Sequence, residues 1–263
     1  MTNYYFLATL IAPLSLDLDP EVHIAELKQL AALNLNHKDQ RQMRLFLTWI
    51  DLNNLSALWS GHEINIPGNW TREELVDLQK FPLAAPSFLE AYLYKYTEDV
   101  ERAAHFDQLL ISYFSYAYEQ ATGFLKDYLQ YEQVLRVAFA ARRGTKLKRP
   151  FEEDLRLLDP IDPWQSQLHA VVEGGLDISG ALENVQEALD LYDSNFQNPL
   201  DLFKQLLVVR FDKIEKLKAG YSPFSVDAII AYAAELDIVS RWQTVAKAKN
   251  QTKVMTILKD IKA

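Results

Sequence analysis

Residues 86–144 read PSFLEAYLYKYTEDVERAAHFDQLLISYFSYAYEQATGFLKDYLQYEQVLRVAFAARRG. Apolar side chains return every three or four residues along nearly all of it, the period of a helix rather than the alternation of a strand. Interruptions come near Thr97 and at Gly123, so the stretch predicts two or three helices. Thirteen aromatic residues lie here, from Phe88 to Phe139, and at this spacing they read as core and helix–helix contacts. Their other use is to stack nucleic-acid bases. That use goes with a net basic domain, whereas this chain sets 27 basic against 36 acidic side chains for a net charge of −9.

Towards the N-terminus, Asp19-Pro20 reads as N-cap and first helical residue, followed by Val22, Leu27, Leu30 and Leu33 near helical spacing. A second helix is predicted from Lys38 to about Trp59, broken by Gly61 and Pro67-Gly68. Thr71-Arg72-Glu73-Glu74 matches a capping box, and Phe81-Pro82 and Ala85-Pro86 keep its helix short. Towards the C-terminus, residues 144–163 read as an irregular connection and Asp162-Pro163 as a cap. Gly174-Gly175 and Gly180 precede a helix to about Tyr192. Asn198-Pro199 opens a long helix to about Lys218. Ser222-Pro223 opens another through Trp242 to about Lys249, with a last short helix near Thr252. Tyr4 to Ile11 is the one candidate strand. The fold class is all-α and multi-helix, a single domain over 1–263 with sub-lobes at 1–85, 86–150 and 151–263.

Composition narrows the chemistry. Hydrophobic residues make up 49% and charged ones 24% of 263 residues, an ordinary globular balance with enough chain for a sizeable core. The absence of cysteine excludes disulfides, zinc–thiolate sites, iron–sulfur clusters and thiol catalysis. No apolar run approaches the ~20 residues that span a bilayer. The opening MTNYYFLATLIAPLSLDLDP lacks the basic n-region of a signal peptide, which sets a cytoplasmic expectation. No phosphate loop, dinucleotide fingerprint, H-E-x-x-H or G-x-S-x-G occurs. Histidines at 23, 37, 62, 105 and 169 are scattered, and the single Glu101/His105 pair falls short of the repeated Glu-x-x-His of a di-iron bundle. Glu152-Glu153-Asp154 reads as a solvated loop beside Arg156. No catalytic residue, cofactor site or metal site is expected.

Charge is uneven. Arg142, Arg143, Lys146, Lys148 and Arg149 form a basic cluster without an acid. Residues 151–201 hold twelve acids against Arg156, and the last 23 residues carry six basic residues, Arg241, Lys247 and Lys249 among them, against Asp260. Two readings stand side by side: solvated helix ends, where cations favour the C-terminal dipole, or a docking surface for an acidic partner or anionic headgroups.

Residues 224–250, FSVDAIIAYAAELDIVSRWQTVAKAKN, resemble the last long helix of the C-type subunit of V-type ATP synthases, known as the d-type subunit in eukaryotic V-ATPases. The matching positions are Tyr232, Glu235, Asp237, Arg241, Trp242, Lys247 and Lys249. Residues 128–144, YLQYEQVLRVAFAARRG, are similar to the family's repeated helix that ends in a basic segment before glycine. Residues 49–61, WIDLNNLSALWSG, look like a fainter third copy, with Asp51 and Asn54 in comparable places. The opening Asn3-Tyr4-Tyr5-Phe6-Leu7, together with Phe81-Pro82 and Pro86-Ser87-Phe88-Leu89, resembles a short bacterial branch encoded beside V-type ATPase genes.

The resemblance implies a pseudo-repeated, funnel-like helical bundle on the cytoplasmic end of the membrane rotor ring, peripheral to the membrane. Its partners would be the central-stalk and membrane-ring components of a V-type ATPase, and its role the transmission of torque without an active site. Arg142, Arg143, Lys146, Lys148, Arg149, Arg241, Lys247 and Lys249 are the candidate docking residues. A helical adaptor for an unrelated protein, or a helical cofactor-dependent enzyme, are the rival readings.

Overall fold

The computed structural model describes residues 3–64, 68–147 and 183–262. Lys148, Arg149, the Glu152-Glu153-Asp154 loop, the Asp162-Pro163 cap, the Gly174-Gly175 and Gly180 breaks, and His169 lie outside them, as does most of the acidic 151–201 stretch. Among the described residues the regular structure is entirely helical. Eleven α-helices follow in order: α1 (Tyr5–Leu10), α2 (Ile24–Asn34), α3 (His37–Trp59), α4 (Arg72–Lys80), α5 (Ser87–Lys95), α6 (Asp99–Ala104), α7 (Phe106–Gln120), α8 (Gly123–Leu147), α9 (Glu183–Asn195), α10 (Pro199–Lys218) and α11 (Val226–Lys262), with one 3₁₀ turn at Pro82–Ala84.

The helices start and stop largely where the chain is punctuated. The Thr71 hydroxyl accepts from the Glu74 amide at 3.2 Å while the Glu74 carboxylate accepts from the Thr71 amide at 2.7 Å, completing the capping box. Asn36 caps α3 by accepting from the Asp39 amide. Pro199 occupies the first position of α10, where its missing N–H costs nothing. Residues 86–144 form four helices, α5 to α8, rather than two or three.

Three expectations are corrected. Tyr4 to Ile11 contains helix α1, not a strand. A lone strand would have no ladder partner, and here the Tyr4 amide donates to the Phe224 carbonyl at 2.6 Å while Leu7 enters the core. Asp19 does not cap α2, which begins at Ile24 after His23. The Asp19 carboxylate instead accepts from Gln243 at 3.0 Å, 224 residues along the chain. Residues 226–262 form one continuous helix, with no separate short helix near Thr252 and its start three residues beyond Pro223.

Helix α11 is the axis of the fold. Residues 227–239 are buried at every position, as expected of a helix packed on all sides. Ala228, Ala231, Ala233 and Ala234 let its neighbours approach closely, and α1, α2, α3, α8 and α10 all pack on it. The main core joins these helices to α5 and α7. A second, smaller core is formed by Tyr131, Val134, Leu135 and Ala138 of α8, Val185, Ala188 and Leu189 of α9, and Leu206 and Val209 of α10. The main core thus draws on all three sub-lobes read from the sequence. Helices α8 and α10 each cross from one core into the other.

The start of α8 is held from across the molecule. Asp227, buried on α11, accepts from the Phe124 amide at 2.9 Å, capping a helix 103 residues away. Gly123 has φ +57°, and a Cβ there would collide with the Asp227 carboxylate. The Gly123→Ala variant therefore combines backbone strain with a displaced cap. It should lose about 2 kcal/mol or more of stability in urea denaturation, whereas Gly61→Ala, with open space around its Cβ, should lose about 1 kcal/mol from strain alone.

Candidate functional site

Where α8 and α10 pass between the two cores, charged side chains replace apolar ones. Glu132 of α8 is buried, and its Oε1 lies 2.9 Å from Arg210 Nε of α10. The aligned hydrogen bond of the pair runs from Arg210 Nη2 to Glu132 Oε2 at 3.2 Å. Burial works against the Arg210 charge, but Glu132, with Tyr128 and Tyr131 behind it, outweighs burial and lifts its pKa above the usual guanidinium value. On α11, Arg241 Nε donates to both oxygens of buried Asp237 at 3.0 Å. Arg136, one turn beyond Glu132, has no such carboxylate among the described residues. Its guanidinium lies 4.7 Å over the Trp49 ring, and its Nε is buried without an acceptor. Burial pushes its pKa down, with Glu132 pulling it partly back.

Arg136 and Arg210 reach the wall of a cavity of about 270 Å³ in the angle between α7 and helices α8 to α10. Arg143 and Asp107 supply its other charges, and Phe114, Phe139 and Tyr192 its apolar walls. A wider groove of about 680 Å³ runs beside α2 and α3, edged by Lys28, Arg41 and Arg44. Lys28 there is spent on the loop after Gly68, donating to the Gly68 and Asn69 carbonyls at 2.9 and 2.6 Å.

The residues singled out for docking fall in different settings. Arg142 and Lys146 both meet Asp193 of α9, at 3.3 and 3.0 Å, so these two cations already join α8 to α9. Lys146 also sits 4.9 Å over the Phe196 ring. Arg143 is exposed, with no carboxylate partner among the described residues. Arg241 is committed to Asp237. The backbone at Lys247 and Lys249 is helical. Beside Lys146, at the α9–α10 turn, Phe196, Leu200 and Phe203 leave 36%, 53% and 36% of their surface exposed. No pattern in the sequence marked this apolar tip, because Leu200 and Phe203 fit the periodicity of α10.

Glu235 and Asp51, both carried by the resemblance, are buried acids. Glu235 accepts from Lys218 Nζ at 2.6 Å, and Lys218 also meets Glu215. Burial, reinforced by the Glu215 contact, pushes the Glu235 carboxyl up to about 8. Asp51 accepts from the amides of Asn69 and Trp70 at 2.9 and 3.3 Å. Burial outweighs these bonds and raises it to about 7. Among the described histidines, His105 stacks on Tyr96 at 4.6 Å rather than pairing with Glu101. Among the described residues no group of three or more metal-ligating side chains converges, and no helix is long and apolar enough to cross a membrane.

These features define a class: an all-helical protein with a buried charged layer between two cores and an apolar, basic-edged tip. The chain belongs to the DUF2764 family, described as a protein of unknown function, whose pattern it matches over residues 1–263. It is 24% identical over 268 residues to an uncharacterised protein of Chlamydia muridarum and 25% identical over 269 residues to one of Chlamydia pneumoniae, with complete coverage of both chains in each case. An uncharacterised Chlamydia trachomatis protein is 24% identical over 263 residues, covering 97% of this chain and 98% of its own. No solved structure matches the chain.

Two outcomes follow from the buried charges. The Arg210→Met variant strands Glu132 and should lose about 3 kcal/mol or more, while Glu132→Leu with Arg210→Met should lose less than the two single variants summed; urea midpoints of the four proteins test this. Raised carboxyl pKa values mean that the folded state holds protons the unfolded chain has released. Stability should therefore be highest below about pH 4 to 5 for these two groups and fall as pH rises through 7 and 8. The Glu235→Gln variant should flatten the upper part of that fall in urea midpoints measured from pH 6 to 9.

Proposed function

We propose that this chain is a non-catalytic component or accessory protein of a V-type ATP synthase or ATPase, linking the central stalk to the membrane rotor ring on the cytoplasmic side. The observation that carries the reading is the resemblance of residues 224–250 to the last long helix of the C-type subunit. That segment falls on α11, the helix around which the main core is built. The two other resembling segments fall on α3 and α8, and both helices pack on α11. Phe46 and Trp49 of α3 meet Tyr128 and Arg136 of α8. A coupling part needs stiffness, and close-packed aromatic helices supply it.

The apolar tip at Phe196, Leu200 and Phe203, with Arg143 of α8 supplying positive charge that has no carboxylate partner among the described residues, is the docking face of this reading. A buried apolar centre would provide the affinity and a basic rim the orientation. A tagged chain expressed in its native cells should recover the catalytic, stalk and ring proteins of the ATPase together from gently solubilised membranes. The Leu200→Asp/Arg143→Glu variant should keep its helical circular dichroism and lose those proteins at least tenfold. Recovery of unrelated soluble proteins without any ATPase component would remove this function and leave the fold standing.

A further inference from the structure

We infer that the cavity between α7 and the α8–α10 lobe is a binding site for a small organic anion, with a carboxylate or phosphate head and an aromatic or aliphatic body. This does not rest on the ATPase reading.

The charges lining the cavity are Arg136, Arg143 and Arg210 against Asp107. Glu132, behind the wall, offsets Arg210, which leaves one positive charge in excess. The excess has an identifiable seat. Arg136 is the one guanidinium of the charged layer without a carboxylate partner among the described residues, and its buried Nε has no acceptor. A buried donor left unmade costs about 1–3 kcal/mol, more when it carries charge, and the face of Trp49 compensates only part of that. An anionic oxygen in the cavity would pair with the Arg136 guanidinium in its wall and with the exposed Arg143, which lines the same space. Guanidinium forks fit carboxylate and phosphate oxygens equally.

The remaining wall decides the body of the ligand. Leu110, Phe114, Val137, Phe139 and Tyr192 present carbon surface to the same space, which inorganic phosphate would leave uncovered. A volume of about 270 Å³ equals the liquid share of about nine waters and lies just below the usual ~300–1,000 Å³ of ligand pockets. That limits the occupant to a single ring or short chain with one charged head. Such a ligand would touch α7 of the main core and α8 to α10 of the lobe together, tying the two cores at their junction.

Thermal unfolding of the purified full chain with phenyl phosphate, phenylacetate, inorganic phosphate or benzyl alcohol, each at about 10 mM, tests this. Either aromatic anion, or both, should raise Tm by about 3 °C, inorganic phosphate by less, and benzyl alcohol not at all. The rise should vanish in Arg136→Gln. It should fall by at least half in Arg143→Gln, whose exposed side chain makes that variant safe for folding should Arg136→Gln prove unstable. Titration calorimetry of the same pairs should show saturation by the aromatic anion and a weaker constant in Arg143→Gln. No stabilisation by either aromatic anion, equal stabilisation by benzyl alcohol, or a rise unchanged in Arg143→Gln would each overturn the site.

Discussion

The pairing of Glu132 with Arg210 constrains the rest of the molecule. Two ions brought out of water lose hydration worth several kcal/mol each, and their attraction returns it only when geometry is held closely. Here they sit on helices α8 and α10, each of which runs from one hydrophobic core into the other. Sliding either helix by one residue would carry its charge into carbon surface and strand its partner. The pair therefore sets the relative register of α8 and α10, and with it the position of the small lobe on the main body. Arg136, one turn along, has no place in that pairing. It lies instead on the face of Trp49 and forms part of the cavity wall, its Nε buried without an acceptor.

Helix α11 meets the same constraint in another form. A helix buried on every side is expected to be apolar throughout, yet Asp227, Glu235 and Asp237 are all buried on it. Each is matched. Asp227 caps α8, Glu235 takes the ammonium of Lys218 from α10, and Asp237 holds Arg241 one turn along. A uniformly apolar α11 would pack against its neighbours in several rotations of similar energy, whereas Asp227 and Glu235 have partners on α8 and α10 in only one. The alanines supply close approach and the acids supply orientation.

The positive charges prominent in the sequence divide by what surrounds them. Arg142 and Lys146 meet Asp193 and join α8 to α9, and Arg241 meets Asp237 within α11, whereas Arg143 is exposed on α8 and lines the cavity. The described part of the basic cluster therefore divides into Arg142 and Lys146, which hold α8 to α9, and Arg143, which meets no carboxylate among the described residues.

Residue pattern alone specifies the helical class, the bounds of α3, α4 and α10, and the aromatic core, because these depend on neighbours within a few turns: apolar period, proline at a first position, a capping box, glycine at an end. Long-range packing had to settle that residues 5–10 form a helix, that Asp19 serves Gln243 rather than its own helix, and that Glu132 pairs with Arg210. The candidate site belongs with these, since its cavity is assembled from α7, α8, α9 and α10. A short segment follows whatever surface receives it, and a charge follows the nearest opposite charge. Both are set by residues tens to hundreds of positions away, for which local periodicity carries no signal.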